Sequence, residues 1–117
     1  MKVSLLSSNS SSSGNRYREE LKREVFILTK PPHSERAKLC IRLVERSKNA
    51  ALYLAGDGVF NLLDPTVEAL PPDSIYACKE DMNARGVQPK NIAIILVEFY
   101  VQLVDDMMVR SDKVYVF

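Results

Sequence analysis

Ser74-Ile75-Tyr76-Ala77-Cys78-Lys79-Glu80-Asp81-Met82-Asn83-Ala84-Arg85-Gly86-Val87 is the stretch whose reading decides the fold. Ile75, Tyr76 and Ala77 fit a short buried strand, and Lys79 to Arg85 are mostly good helix formers. Gly86 stands where a left-handed C-terminal stop is expected. A strand running straight into a helix is the unit from which α/β sheets are built. The joint is Cys78, and cysteine caps a helix poorly compared with Ser, Thr, Asp or Asn. Its presence there raises the question of thiol chemistry.

Working outward, the same unit recurs on the N-terminal side. Val25-Phe26-Ile27-Leu28-Thr29 is an apolar, β-branched and aromatic run that reads as a first strand. Pro31-Pro32 ends it, since neither proline can donate to a ladder. Ser34 is placed to cap a helix to about Ser47, in which Ala37, Cys40, Ile41 and Val44 fall at i, i+3, i+4 and i+7. Ala50 to Leu54 reads as a second strand, and Ala55-Gly56-Asp57-Gly58 as a turn with two residues free to take positive φ. Val59 to Leu63 suggests a short helix stopped before Pro65, with a further turn over Thr66 to Leu70.

On the C-terminal side, Gln88 to Asn91 is read as a loop and Ile92 to Leu96 as a fourth strand. A helix is expected from Val97 to about Arg110. It carries one stripe of Val97, Tyr100, Val101, Val104 and Met108, and beside it a second of Phe99, Leu103 and Met107. A helix apolar over so much of its girth is central in the core or buried in a subunit contact. Lys113 to Phe117 is expected to be a last strand. Strands alternating with helices predict a three-layer α/β domain: a largely parallel sheet of about five strands, flanked by helices and joined by right-handed crossovers. In such sheets the functional crevice lies at the carboxyl ends of the strands. Asp57 follows the second strand and Cys78 the third, so both are expected at that edge.

A chain of 117 residues is one domain by size, with 46% apolar and 26% charged residues. Residues 25–117 are expected to form it. Residues 1–24 are expected to be a disordered or weakly ordered extension, given the tract Ser7 to Asn15. Sixteen Lys plus Arg against fifteen Asp plus Glu give no global reason to expect nucleic acid or an anionic membrane as partner. No apolar run is long enough to span a bilayer, and no signal peptide is read, so a soluble cytoplasmic protein is expected. Two cysteines far apart and the single His33 do not compose a Cys/His zinc site, and no metal or organic cofactor is expected.

Cys78 has a bland reading, a small buried hydrophobe, and a chemical one. At a helix start, unpaired N–H groups and the dipole favour the thiolate, and Lys79 adds a cation. Glu80 and Asp81 oppose it if they point at the sulfur. A thiol of pKa ~8.5 is only about 3% ionised at pH 7, against about 75% at ~6.5, so the balance decides whether the sulfur can attack. Cys40, on the apolar helix face, reads as structural. His33, in the loop after the first strand, is a candidate base or donor at the same edge or a solvated loop residue. Gly56, Asp57 and Gly58 shape the pocket mouth or only the turn, which resembles no nucleotide-binding loop.

Leu54-Ala55-Gly56-Asp57-Gly58-Val59, then Ile75-Tyr76-Ala77-Cys78-Lys79-Glu80-Asp81 and Ala84-Arg85-Gly86-Val87, resemble the DsrE/DsrF/DsrH sulfur-relay family. The similarity is greatest to the DsrH/TusB branch, with its DGV after the second strand and vYAL-x-ED-x-x-ARG at the third strand and helix. The resemblance covers roughly Val25 to Phe117. It implies an α/β domain working in homo- or hetero-oligomers with related subunits, relaying sulfane sulfur as a cysteine persulfide between donor and acceptor proteins with reactive thiols. In the DsrE/TusD branch the carrier cysteine follows the third strand, and Cys78 occupies that position. TusB-like proteins commonly have leucine there and act as non-catalytic structural subunits. The resemblance thus implies either a carrier using Cys78 or an assembly subunit without chemistry.

Overall fold

Five runs of β-branched, aromatic and aliphatic residues pair into one parallel sheet in a computed structural model that describes residues 22–88 and 92–117. The strands are β1 (Arg23–Leu28), β2 (Ala50–Leu54), β3 (Ile75–Cys78), β4 (Ile94–Leu96) and β5 (Ser111–Val116), in the order β4-β3-β2-β1-β5. All four pairings are parallel. This is the expected α/β sheet. The readings made for residues 1–21 and for the loop residues 89–91 lie outside the described residues.

The direction of each crossover sets which face its helix covers. From β1 to β4 the chain steps one way along the sheet, and right-handed connections then place the intervening elements on one face. These are α1 (Glu35–Arg46), a 3-10 helix (Gly56–Leu63), α2 (Pro65–Glu68), a single 3-10 turn (Pro72–Ser74) and α3 (Lys79–Arg85). From β4 the chain returns past the whole sheet to β5, and α4 (Phe99–Asp105) lies on the opposite face. The core divides accordingly. Phe26, Leu28, Leu52 and Leu54 meet Cys40, Ile41 and Val44 of α1 and Met82 of α3 on one side. Val25, Tyr53, Tyr76 and Cys78 meet Phe99 and Leu103 of α4 on the other.

Local chemistry explains the element ends. Ser34 Oγ accepts the Ala37 N–H at 3.1 Å, and Asp64 caps α2 by accepting from the Thr66 N–H at 3.0 Å. Gly86 closes α3 with φ 71°, the left-handed stop read from the sequence. Two details differ from expectation. The Gly56-Asp57-Gly58 turn is the first turn of the 3-10 helix, and of its glycines only Gly56 has positive φ, at 56°. Gly58 is there for space: a Cβ would run into the Leu28 carbonyl oxygen and stand 2.8 Å from its carbonyl carbon.

The second difference is the last helix, which ends as an α-helix at Asp105 and continues as a π-helical turn over Asp106–Arg110. The sequence stripe is continuous there, but a buried charge occupies the junction. Asp106, fully buried, accepts hydrogen bonds at Oδ2 from Arg23 at 2.9 Å and from the Tyr53 hydroxyl at 2.7 Å. Arg23 also donates to the Tyr76 hydroxyl at 3.0 Å and lies over its ring. Burial opposes the Arg23 charge, but its Tyr76 and Asp106 partners outweigh that and hold it more firmly protonated. The start of β1 is thereby tied to the end of α4.

Candidate functional site

Adjacent parallel strands whose following helices leave to opposite faces open a crevice at their carboxyl ends. Here those strands are β3, which leads to α3, and β4, which leads to α4 on the other face. Cys78 is the last residue of β3 and stands beside Leu96, the last residue of β4. The thiol therefore sits at the one switch point among the described strands.

The side chain points to the α4 side, within the cluster of Tyr53, Tyr76 and Phe99, and the residue is 2% exposed. A chain of rings leads from it toward solvent: Tyr53 stacks on Tyr76, Phe99 meets Tyr53 edge-on at 5.5 Å, and Tyr100 meets Phe99 edge-on at 5.1 Å. Tyr100 is exposed yet close enough to feel the charges of Asp81, Cys78 and Glu80. Burial first, and then these charges, raise its hydroxyl above the usual range. Tyr100 thus borders this cluster through its edge-on contact with Phe99.

Competing influences set the state of that thiol. Cys78 is the N-cap of α3 but forms no cap hydrogen bond of regular geometry. Burial pushes its pKa up, the nearby backbone N–H groups of Asp81 and Glu80 pull it down, and the Asp81 carboxylate, as charge and as acceptor, pushes it up again. The net direction is upward, so the resting group is a neutral thiol rather than the thiolate that a helix start alone would favour.

Asp81 is itself well fixed. Its Oδ2 accepts the Gly56 N–H at 2.7 Å, and its Oδ1 lies 3.7 Å from Arg85 Nη1. Arg85 Nε donates to Asp57 Oδ1 at 3.0 Å. Asp57 therefore serves the site through Arg85, by docking the turn after β2 against α3. Gly56 supplies the N–H that orients Asp81, and buried Gly58 lets the turn lie on β1. Lys79 is exposed on the first turn of α3. His33 is exposed in the loop between β1 and α1, with φ 72°. Cys40 is fully buried in α1, and burial pushes its thiol up to about 12.

The sequence reading counted Asp81 only as a charge opposing the thiolate and gave Arg85 and Tyr100 no part in this neighbourhood. Asp81 and Arg85 are four apart on one helix, a spacing that signals a side-chain pair, and that signal was there to be used. Tyr100 carried no comparable signal, because nothing local says that its stripe borders β3.

The sign of the Cys78 shift gives a direct expectation. With its pKa raised by burial, Cys78 yields abundant thiolate only above the ordinary cysteine range, so alkylation of native Cys78 should still be accelerating past about pH 9. Asp81→Asn removes the charge while keeping an acceptor for the Gly56 N–H. It should move the rate profile to lower pH and speed labelling several-fold at neutral pH. Rate profiles measured by mass spectrometry check this; an unmoved profile would remove Asp81 from control of the thiol.

Among the described residues no group of three or more His, Cys, Asp or Glu side chains is placed to hold a metal ion, and no helix is long and apolar enough to cross a membrane. Among curated proteins, none matches the chain. The family model described as DsrH like protein matches residues 29–113, from the end of β1 into β5, and takes in the Gly56 turn, Cys78, Asp81 and Arg85. On that match, which spans most of its length, the chain belongs to the DsrH-like family of the DsrE/DsrF/DsrH sulfur-relay group.

Proposed function

We propose that this chain is a cytoplasmic sulfur-relay subunit that carries sulfane sulfur on Cys78 and hands it to a partner thiol. The observation that supports this most is the position of Cys78: a thiol at the carboxyl end of β3, at the switch point of the sheet, in a chain of a sulfur-relay family. In the first step the Cys78 thiolate attacks the terminal sulfur of a donor persulfide. A bond forms between Cys78 Sγ and that sulfur, the donor S–S bond breaks, and the donor leaves as a thiolate. In the second, an acceptor thiolate attacks the same terminal sulfur and Cys78 Sγ leaves with the electron pair. Sulfur moves at one oxidation level throughout, so no outside oxidant or reductant is required.

The raised Cys78 pKa fits a carrier that is quiet until engaged. Its proton has an acceptor in Asp81, and once the persulfide has formed, its anionic terminal sulfur lies near the N–H groups that begin α3. Gly56, Asp57 and Gly58 hold the mouth in place through Asp81 and Arg85, and exposed Lys79 and His33 face incoming chains as charged or hydrogen-bonding groups. Donor and acceptor are proteins with reactive thiols, and related subunits assemble on the exposed stripe of α4. A tRNA-thiolation or a sulfur-oxidation pathway would both use such a step.

The exposed stripe also supports the second reading, a structural subunit without chemistry. The two separate cleanly by experiment. In a reconstituted relay with a persulfide donor and a thiol acceptor, Cys78→Ser should lower transfer to the uncatalysed level, while Cys40→Ser leaves it within about twofold. Unchanged transfer through Cys78→Ser would give the structural reading the case.

A further inference from the structure

On the relay reading Cys78 must meet another protein's sulfur, yet it is 2% exposed. The sheet closes one side of it and α4 the other, with Phe99 in the same buried cluster. The two ends of α4 are held very differently. At its start Val97 and Glu98 are exposed, Glu98 forms no side-chain cap, and of the seven residues of the helix only Phe99 and Leu103 are buried. Past its far end, fully buried Asp106 accepts from Arg23 and from the Tyr53 hydroxyl, which ties that end to β1 and β2. Between the two lies the change from α-helical to π-helical pairing at Asp105 and Asp106. The regular ladder is already interrupted there, and helices bend at such places.

We propose that α4 is a hinged cover over Cys78: its amino-terminal half, with Phe99 as the plug, lifts to admit the sulfur donor while the helix bends at the π-helical turn and the Asp106 anchor stays closed. The packing favours that division. Lifting the first half withdraws the Phe99 ring from its edge-on contact with Tyr53 at 5.5 Å, and the Tyr100 ring, edge-on to Phe99, moves with it. Lifting the second half would strand the Asp106 carboxylate, the Arg23 guanidinium and the Tyr53 hydroxyl, a far larger penalty for buried charge. Segments with few buried contacts are the ones that open on their own, without unfolding of the domain. The cover deepens the relay reading and rests on it for what enters. A thiol shielded in this way meets a donor that reaches the cleft and is closed to solvent between encounters.

Labelling of the two thiols in the native full chain tests this, with an alkylating reagent dilute enough that reclosing outpaces modification. Cys40 is the internal reference: it is fully buried in α1 on the other face of the sheet, so it is reached by unfolding of the domain. Cys78 should label about ten- to a thousandfold more slowly than a free cysteine peptide, and faster than Cys40. Low urea should barely change its rate, while the Cys40 rate climbs steeply, because a local opening exposes little surface. Phe99→Leu weakens the closed state against both the open and the unfolded forms, so both thiols should label about tenfold faster. Val44→Ala in α1 and Asp106→Asn at the anchor should speed Cys40 about tenfold and leave Cys78 within about twofold, because the opening disturbs neither site. One rate and one urea slope for both thiols would overturn the proposal, as would a Cys78 that labels at the free-peptide rate or is unmoved by Phe99→Leu. So would Asp106→Asn speeding Cys78 as much as Cys40, since the anchor would then open with the rest. Persulfide loading of Cys78 is read on the same samples. A Cys78 that takes sulfur but labels in step with Cys40 overturns the cover alone, and one that opens separately but takes no sulfur overturns the carrier reading alone.

Discussion

Asp106→Ala should destabilise the domain by about 3–5 kcal/mol, enough to lower Tm by more than about 10 °C. The carboxylate is fully buried and is the shared acceptor for Arg23 Nη1 and the Tyr53 hydroxyl. Removing it leaves a guanidinium whose side chain is only 14% exposed with one hydroxyl partner and the Tyr76 ring, and leaves a buried phenol with nothing to donate to. Burial, with the hydrogen bond to Asp106 second, already pushes the Tyr53 hydroxyl far above its usual range, so ionisation offers the phenol no way out. Asp57→Ala is the matched control. Its ion pair with Arg85 is as short, 3.0 Å, but the Asp57 side chain is 56% exposed, and its loss should cost only about 0–1 kcal/mol. Thermal and urea unfolding of the two variants measure the contrast. Equal small losses would mean that the Arg23–Asp106 pair does not tie β1 to the end of α4.

Gly58→Ala should cost about 3 kcal/mol or more, which is large for adding one methyl group. The new Cβ would overlap the Leu28 carbonyl oxygen, with the carbonyl carbon at 2.8 Å and Thr29 Cα at 3.3 Å. Each obstacle is backbone at the end of β1, so no side chain can swing aside. The 3-10 helix must lift from the sheet, taking with it buried Val59 and Leu62. Gly56→Ala separates this from ordinary glycine strain. Gly56 has φ +56° but no atom nearer than 4.0 Å to its Cβ position, so the cost there is only the left-handed conformation, about 1–2 kcal/mol. Because the Gly56 N–H also orients Asp81, Gly58→Ala should disturb Cys78 as well as stability. A Gly58→Ala protein as stable as the wild type would mean that the turn is not seated on β1.

What could be read without coordinates was what short-range chemistry writes into the chain. The strands were legible as apolar runs between Pro and Gly, α1 from Ser34 and its apolar face, and α3 from its helix formers and Gly86. Cys78 was legible as the joint of β3 and α3. Hidden was whatever depends on contacts distant in sequence. Arg23 and Asp106 are 83 residues apart, and the strand order that puts β5 beside β1 has no local signature. Gly58 looked like a residue chosen for freedom, whereas it is one chosen for lack of bulk. The two apolar stripes of the last helix were visible, but the sheet decides that Phe99 and Leu103 go in and Val101 and Val104 stay out. Asp81 was counted only against the thiolate; its N–H supports the anion that its carboxylate opposes.

The central claim is that Cys78, rather than Cys40 or neither, bears the sulfur. The measurement is intact mass followed by peptide mapping of the full chain after incubation with a persulfide donor and trapping of the product with an alkylating agent. One added sulfur atom per chain is expected, mapped to the peptide containing Cys78 and lost in Cys78→Ser, with Cys40 unmodified in its core position. No added sulfur on Cys78 with a donor that loads other carriers would contradict it.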